Sequence, residues 1–200
     1  KINGAAAVIM RGAEQVKGHD QPFRQNSNFY YLTGYTEPGA AMLLLPGKKD
    51  PFILFVQPRV PGKVLWDGQR YGTDEAITRF QADAAHPMDQ MDQMLRAYLA
   101  DVDRVYCDFG DKALMNLLAD VLRHVSEEPR LADVAPLLHK MRVVKNEMEI
   151  QRIRKAVDIT CAAHRKVMGY LGPGTTEHEI AGLIDYVYAH NGSTGAAFAS

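Results

Sequence analysis

Short apolar runs alternate with helix-like repeats along the first two-thirds of the sequence. The apolar runs are bounded by Gly, Pro or charged residues, which is typical of buried strands. They predict strands at Ala5–Met10, Phe29–Leu32, Ala41–Leu45, Phe52–Val56 and Val102–Phe109. Apolar residues at helical spacing predict one helix from Met88 to Leu99 and another from Leu114 to Val125. Strands that alternate with helices predict an α/β or α+β domain with a mixed sheet.

The pattern changes near residue 139, where two helices follow each other. Asn146 and Glu149 have the spacing of a capping box at the start of the first helix, and Thr176 and Glu179 have it at the start of the second. An apolar stripe marks one face of the first helix and consists of Ile150, Ile153, Val157, Cys161, His164, Val167 and Leu171. We therefore predict two domains, residues 1–138 and residues 139–200, of which the second is too short to bury a sizeable core alone.

Composition and charge exclude several classes of protein. The apolar fraction of 46% and the charged fraction of 24% match an ordinary globular chain. A formal net charge of −1 gives no reason to expect nucleic acid or an anionic membrane as a partner, and no apolar run approaches the ~18 residues of a membrane-spanning helix. Two cysteines are too few for a disulfide framework, and together with the lack of a visible signal peptide they favour a cytoplasmic location. The two ends of the sequence favour a segment of a longer protein.

Motif patterns in the sequence indicate no catalytic centre. His178-Glu179 lacks the second histidine of a zinc protease, because position 182 is a glycine. No Gly-x-Ser-x-Gly elbow is present, and no set of His, Asp and Glu has metal-ligand spacing. Cys161 and His164 lie on the apolar stripe, which favours a buried inert thiol and a core histidine over a nucleophile and a ligand.

One polar and aromatic segment stands apart from the rest. It reads Phe23-Arg24-Gln25-Asn26-Ser27-Asn28-Phe29-Tyr30-Tyr31-Leu32-Thr33-Gly34-Tyr35, followed by Glu37-Pro38. By itself it predicts a polar turn and a short aromatic strand that ends at a glycine. It resembles the N-terminal domain of Xaa-Pro aminopeptidases, the aminopeptidase P family. Further similar segments follow in the family's order at Leu65–Arg70, at His139–Arg142 with Lys145 and Glu149, and at Leu171–Gly174 with Glu177.

The resemblance implies a fold, an activity and a cofactor. The fold would be a creatinase- and prolidase-like α/β domain with a mixed sheet, followed by the opening helices of a pita-bread metallopeptidase domain. The activity would be hydrolysis of the bond between an N-terminal residue and a following proline, by a water that two manganese ions activate. The family's metal ligands and catalytic histidines match positions beyond Ser200. No catalytic or metal-binding residue is therefore predicted here, and the 200-residue chain alone is expected to be inactive.

The resemblance also implies supporting roles and partners. Trp66 matches a tryptophan that reaches a neighbouring subunit's active site in tetrameric members, and Arg24 lies in the segment that faces the domain interface. We therefore predict that both bind substrate. The implied partners are Xaa-Pro peptides and further copies of the chain, as a dimer or a tetramer. Gly18 departs from the pattern, because many members carry an aspartate at that position.

Two alternatives remain at the level of the sequence. One is a non-catalytic relative of the pita-bread family that binds peptides or partners without metal. The other is a prolidase-type dipeptidase. The segment from Arg24 to Gly34 is more similar to aminopeptidase P than to prolidase.

Overall fold

The computed structural model describes residues 5–15, 23–59, 70–125, 129–193 and 196. Its contacts divide the chain into two compact units, Lys1–Met141 and Arg142–Ser200. The strands are β1 (Ala6–Arg11), β2 (Ala41–Leu44), β3 (Phe52–Val56), β4 (Ala84–Pro87), β5 (Arg104–Cys107) and β6 (Arg130–Asp133). The helices are α1 (Ser27–Thr33), α2 (Thr73–Phe80), α3 (Met91–Tyr98), α4 (Lys112–Leu122), α5 (Ala135–Val143), α6 (Glu147–Tyr170) and α7 (Glu177–His190), with a 3-10 turn at Met88–Gln90. The predicted domain boundary between residues 138 and 139 stays a prediction.

The described strands form one mixed sheet in the order β4-β3-β2-β1-β5-β6. Strand β2 runs antiparallel to β1 and β3, whereas β4, β5 and β6 run parallel to their neighbours. The carboxyl ends of β1 and β3 and the amino end of β2 therefore meet at the same end of the sheet. The predicted mixed α/β fold is confirmed.

Both faces of the central strands are buried. Alternate residues of β1 to β3 face two separate apolar clusters. Ile9 and Phe55 lie in the cluster that contains Leu95 of α3 and Leu118 of α4. Met10, Met42 and Leu54 lie in the other cluster, with residues of α1, α2 and α5. Burial on both faces explains why these strands are continuous apolar runs without polar alternation.

Four of the predicted strands are confirmed, as β1, β2, β3 and β5, but the strand predicted at Phe29–Leu32 is wrong. These residues belong to α1. The Asn26 side chain accepts hydrogen bonds from the backbone N–H groups of Asn28 and Phe29, at 2.9 and 3.1 Å, and so caps the helix. Gly34 closes it with φ of 66° and a bond from its N–H to the Tyr30 carbonyl. The caps and the burial of Phe29 override the strand preference of the aromatic residues.

Both predicted helices of the first unit are confirmed. The helix predicted from Met88 to Leu99 corresponds to the 3-10 turn and α3, and the one predicted from Leu114 to Val125 corresponds to α4. Strands β4 and β6 and helices α2 and α5 were not predicted. Both strands are four residues long and lie at the edges of the sheet. Short edge strands contain few apolar residues, so they produce no apolar run in the sequence.

Both capping boxes of the second unit are confirmed. Asn146 and Glu149 exchange side-chain to backbone hydrogen bonds of 2.8 and 2.9 Å at the start of α6. Thr176 and Glu179 do the same at the start of α7. Among the described residues, no helix has both the length and the apolar composition that crossing a bilayer requires.

The apolar stripe of α6 is largely exposed in this structure. Ile153, Val157 and Leu171 are 50%, 54% and 60% exposed. Cys161 and His164 are exposed as well, so the expected buried thiol and core histidine are wrong for the chain as described. The buried side chains of α6 and α7 are Ala163 and Val187, which lie outside the stripe.

Candidate functional site

The loops that follow β1 and precede β2 are joined beyond the last paired residues of the strands. The Gly12 N–H donates to the Ala40 carbonyl at 2.7 Å, and the Gly39 N–H donates to the Ala13 carbonyl at 2.9 Å. These bonds prolong the antiparallel pairing of β1 with β2. Residues from three loops meet next to this extended pairing.

We call this group of residues the Glu37 cluster. It consists of Gln25, Tyr35, Glu37, Gly39, Gln57 and Tyr71. All but Gln57 and Tyr71 belong to, or lie close to, the polar and aromatic segment that carries the family resemblance.

Gln25 bonds to the loops on both sides of it. Its Oε1 accepts from the backbone N–H groups of Ala13 and Asn26, at 2.6 and 2.9 Å. Its Nε2 donates to the Glu37 carbonyl at 2.7 Å. A Cβ atom at Gly12 would lie 2.8 Å from Gln25 Oε1, so a larger residue there would displace this side chain and its hydrogen bonds.

Glu37 accepts three hydrogen bonds from two tyrosines. The Tyr35 hydroxyl donates to Oε2 at 2.9 Å, and the Tyr71 backbone N–H donates to Oε1 at 2.9 Å and to Oε2 at 3.0 Å. Tyr35 is only 1% exposed. Burial first, and the Glu37 charge second, raise the pKa of Tyr35 well above its usual value. The hydroxyl therefore stays protonated and remains a donor to the carboxylate.

The rings of the two tyrosines that bond to Glu37 pack against Phe80. The rings of Tyr35 and Phe80 have centroids 4.8 Å apart, and those of Tyr71 and Phe80 lie 5.4 Å apart. The Arg79 guanidinium lies 4.7 Å from the centroid of the Tyr71 ring. These contacts hold Tyr71 in place beside Glu37.

Gly39 and Gln57 complete the cluster. Gln57 Nε2 donates to the Gly39 carbonyl at 3.0 Å. Gly39 has φ of 67°, and a Cβ atom there would lie 2.7 Å from Gln57 Nε2. The backbone conformation therefore favours glycine, and any added side chain would displace Gln57.

Of the two predicted site residues, the structure describes only Arg24. Arg24 is exposed next to Gln25, and its side chain makes no hydrogen bond or ion pair with the described part of the chain. Trp66 lies outside the described residues, so its predicted role stays a prediction. Sequence reasoning missed the roles of Glu37 and Gln57. Glu37 stood inside the resembling segment, but no pattern in the sequence connects it to Tyr71, 34 residues away.

The described residues do not fit a metal centre. Across residues 5–15, 23–59, 70–125, 129–193 and 196, no group of three or more His, Cys, Asp or Glu side chains could hold a metal ion. In the Glu37 cluster the carboxylate oxygens already accept hydrogen bonds from tyrosine groups. The cluster joins loops and has no nucleophile or base that is placed for chemistry.

Comparison with known protein families decides the identity. Residues 1–106, more than half of the chain, match the family model described as Aminopeptidase P, N-terminal domain. The chain belongs to the aminopeptidase P family. Residues 151–200 match the model of Metallopeptidase family M24. The family predicted from the sequence segments is thus confirmed.

Similar proteins and structures agree with this assignment. The Xaa-Pro aminopeptidase of Escherichia coli (strain K12) is 32% identical over 203 residues, which cover 95% of this chain and 46% of that protein. The structure of Pseudomonas aeruginosa aminopeptidase PepP has a TM-score of 0.89 at 31% identity and covers 96% of this chain and 46% of its own. Zn-substituted E. coli aminopeptidase P in complex with product has a TM-score of 0.92 at 28% identity and covers 99% and 48%. The chain spans about half the length of these relatives.

Proposed function

We propose that the whole aminopeptidase P protein is a metal-dependent aminopeptidase that releases the N-terminal residue of peptides with proline in second place. The observation that supports this most strongly is the order of the two family matches, with the aminopeptidase P domain at residues 1–106 and the M24 metallopeptidase at residues 151–200. The Escherichia coli and Haemophilus influenzae relatives, which are 32% and 31% identical, are both named Xaa-Pro aminopeptidases.

The proposed substrate explains why a specialised enzyme is needed. The bond before proline is a tertiary amide, and the proline ring fixes the backbone φ angle. The metals in our proposal are two manganese ions. The described residues contain no group that could hold them, and we propose that their ligands belong to the part of the M24 domain beyond Ser200. The proposal further includes a cytoplasmic location and a homo-oligomer. Within the 200-residue chain it assigns substrate binding to Trp66 and Arg24, and no catalytic or metal-binding role to any residue.

Metal removal tests the proposed chemistry. We expect the whole protein to release alanine from Ala-Pro-Ala, to lose this activity after dialysis against a chelator, and to regain it with manganese, because metallopeptidases depend on the bound ion. The measurement is the rate of alanine release at matched protein concentrations, with a thermal melt to show that the chelated protein stays folded. Full activity in the folded, metal-free protein would contradict the proposal. If another divalent ion restored the activity better than manganese, the proposed identity of the metal would be wrong but the metal dependence would stand.

The exposed apolar stripe of α6 indicates a contact surface for a further part of its domain. Ile153, Val157 and Leu171 expose half or more of their side chains, and an apolar row of this kind marks a contact surface. The relatives are about twice the length of this chain. We infer that the remaining part of the M24 domain covers the stripe in the whole protein.

Thiol labelling of the two cysteines tests whether the apolar stripe is covered in the whole protein. In the 200-residue chain Cys161 is exposed, whereas Cys107 is buried and burial raises its pKa to about 11. Because the thiolate is the reactive form, we expect fast labelling of Cys161 at pH 8 and very slow labelling of Cys107. In the whole protein we expect Cys161 to react about 10-fold more slowly, since labelling would require local opening. Peptide mapping by mass spectrometry measures each site, with Cys107 as the buried control. An unchanged rate at Cys161 would show that the stripe is not covered.

A further inference from the structure

Helix α2 is lightly packed against the sheet. Ala76 is its one fully buried residue, and the large side chain of Ile77 is 43% exposed. Helix α4, in contrast, buries four apolar side chains. Because buried apolar area is the main force that holds a helix on a sheet, α2 is expected to detach at a lower free energy than α4.

Two carboxylates hold the start of α2 through consecutive backbone groups. The Tyr71 N–H donates to the two oxygens of Glu37 at 2.9 and 3.0 Å. The Gly72 N–H donates to Glu75 Oε2 at 3.0 Å. Glu37 belongs to the loop before β2, which is bonded to the loop after β1. The first bond therefore ties α2 to the sheet, whereas the second caps the helix itself.

The opposite end of α2 carries backbone strain. Gln81 follows the helix with φ of 57° and ψ of 31°. It is the only residue other than glycine with a positive φ in the part of the chain that the structure describes. This left-handed conformation costs free energy in any residue with a Cβ atom, and release of the helix would recover that cost. Helix α2 is thus latched at its start and strained at its end.

Positive side chains lie next to the latch. Arg59 Nη1 is 3.6 Å from Glu75 Oε1, and Arg79 acts electrostatically on the same carboxylate. Arg70 acts electrostatically on Tyr35, whose ring contacts α2. Arginine keeps its charge in acid, whereas a carboxylate loses its own. Protonation of the latch therefore leaves positive charge next to the positive end of the helix dipole.

The elements packed against α2 add few titratable groups. Strand β3 has none, and β4 contains His86, whose ring nitrogen bonds to the Tyr98 hydroxyl of α3. Asp83, in the loop before β4, accepts from the Phe52 N–H at 2.8 Å. Asp74 is exposed on α2. Glu37 and Glu75 are therefore the carboxylates that bond to the start of α2.

The sign of the pH dependence follows from the capping bond. The hydrogen bond from the Gly72 N–H is the largest of the causes that lower the pKa of Glu75 from its ordinary value of 4.5. The closed helix therefore favours the charged carboxylate. Its stabilising effect is complete above the ordinary value and is lost as the pH falls through the lowered one.

We propose that α2 is an acid-sensitive flap, which Glu37 and Glu75 hold shut against the strain at Gln81. The flap opens as a unit and uncovers Tyr35, which is 1% exposed and whose ring centroid lies 4.8 Å from that of Phe80. The pairing of β1, β2 and β3 is retained on opening. This property belongs to the first unit and does not depend on the proposed catalytic activity.

Hydrogen exchange of the whole protein, followed by mass spectrometry, tests the latch. At pH 7 we expect Glu37→Gln and Glu75→Gln each to lower the protection of residues 71–80 about 5-fold, because a neutral acceptor binds an N–H less strongly than a charged one. Protection of β1 to β3 should stay the same. Glu14→Gln is the matched control, since in the described part of the chain this carboxylate pairs with Arg11 of β1. Unchanged protection of residues 71–80 in both folded latch variants would overturn the proposal.

The same measurement in acid tests the flap in the parent protein, without any substitution. From pH 7 to pH 3.5, and after correction for the intrinsic exchange rate, we expect protection of residues 71–80 to fall about 10-fold more than that of β1 to β3. The double variant Glu37→Gln with Glu75→Gln should lose most of this difference. Equal losses in α2 and in the three strands would show that the whole unit opens together, and the flap would be wrong.

Gln81→Gly tests the strain. Glycine adopts the left-handed conformation freely, so we expect protection of residues 71–80 at pH 7 to rise about 3-fold. Gln57→Gly, in the loop after β3, is a control for the added chain flexibility and should give no such rise. Protection that does not rise in Gln81→Gly would show that the closed helix is not strained there, which contradicts the proposal.

Discussion

Gly39→Ala is expected to lower the free energy of unfolding by about 3 kcal/mol. The first cost is a left-handed backbone conformation that alanine adopts poorly, and the second is the loss of the Gln57 hydrogen bond. The φ of 67° supplies the first cost. The second arises because the new Cβ atom would lie 2.7 Å from Gln57 Nε2 and would push that side chain away. Urea denaturation of the 200-residue chain measures the sum.

Gly34→Ala separates the two costs. Gly34 has nearly the same φ, 66°, but nothing lies within 4 Å of the added Cβ atom. We expect this control to lose only about 1 kcal/mol, the cost of the backbone conformation alone. Equal losses at the two glycines would show that Gln57 moves aside freely and that its bond to Gly39 contributes little.

Trp66→Ala is expected to leave the fold of the whole protein intact while it weakens self-association and the hydrolysis of longer peptides. Aromatic residues at interfaces contribute about 2 kcal/mol, which corresponds to ~30-fold in affinity. Sedimentation velocity, a thermal melt and the rate on a longer Xaa-Pro peptide are measured on the same preparation. Phe109→Ala is a matched control, since Phe109 is an aromatic residue that is 48% exposed and lies outside the segment that carries the family resemblance. We expect it to change none of the three.

A core tryptophan would behave differently. Its truncation costs about 3–5 kcal/mol of stability. A Trp66→Ala protein that melts far lower but keeps its oligomeric state would therefore contradict the proposed contact with a neighbouring subunit and its substrate.

The central strands could be predicted because burial on both faces makes each one a continuous apolar run. Phe52–Val56 is predicted and observed with the same bounds. Strand β6 could not be predicted, because its sequence Arg130–Asp133 lies at the sheet edge and is partly exposed. Edge pairing depends on backbone hydrogen bonds to β5, which no side-chain pattern records.

The helix at Ser27–Thr33 shows how local capping can override composition. Its aromatic residues favour a strand, whereas Asn26 and Gly34 are the caps of a short helix. The cap residues were visible in the sequence, but seven residues are too few to show a helical repeat. The capping residues therefore predict the structure of this segment better than its aromatic composition does.

The Glu37 cluster was beyond sequence reasoning for a different reason. Its bonds join residues far apart in the chain, such as Gln57 to Gly39 and Tyr71 to Glu37. The segment from Phe23 to Tyr35 carries the resemblance to the family, and the structure shows its local role. It caps α1 and supplies Gln25 and Tyr35 to the cluster.

Substrate preference of the whole protein tests the central claim most directly. The measurement is kcat/KM for release of the first residue from Ala-Pro-Ala and from Ala-Ala-Ala, with manganese present. Our account predicts that Ala-Pro-Ala is preferred by about 100-fold or more, because the proposed activity is specific for the bond before proline. Equal values for the two peptides would contradict Xaa-Pro specificity, and no release from either would favour a non-catalytic peptide-binding protein.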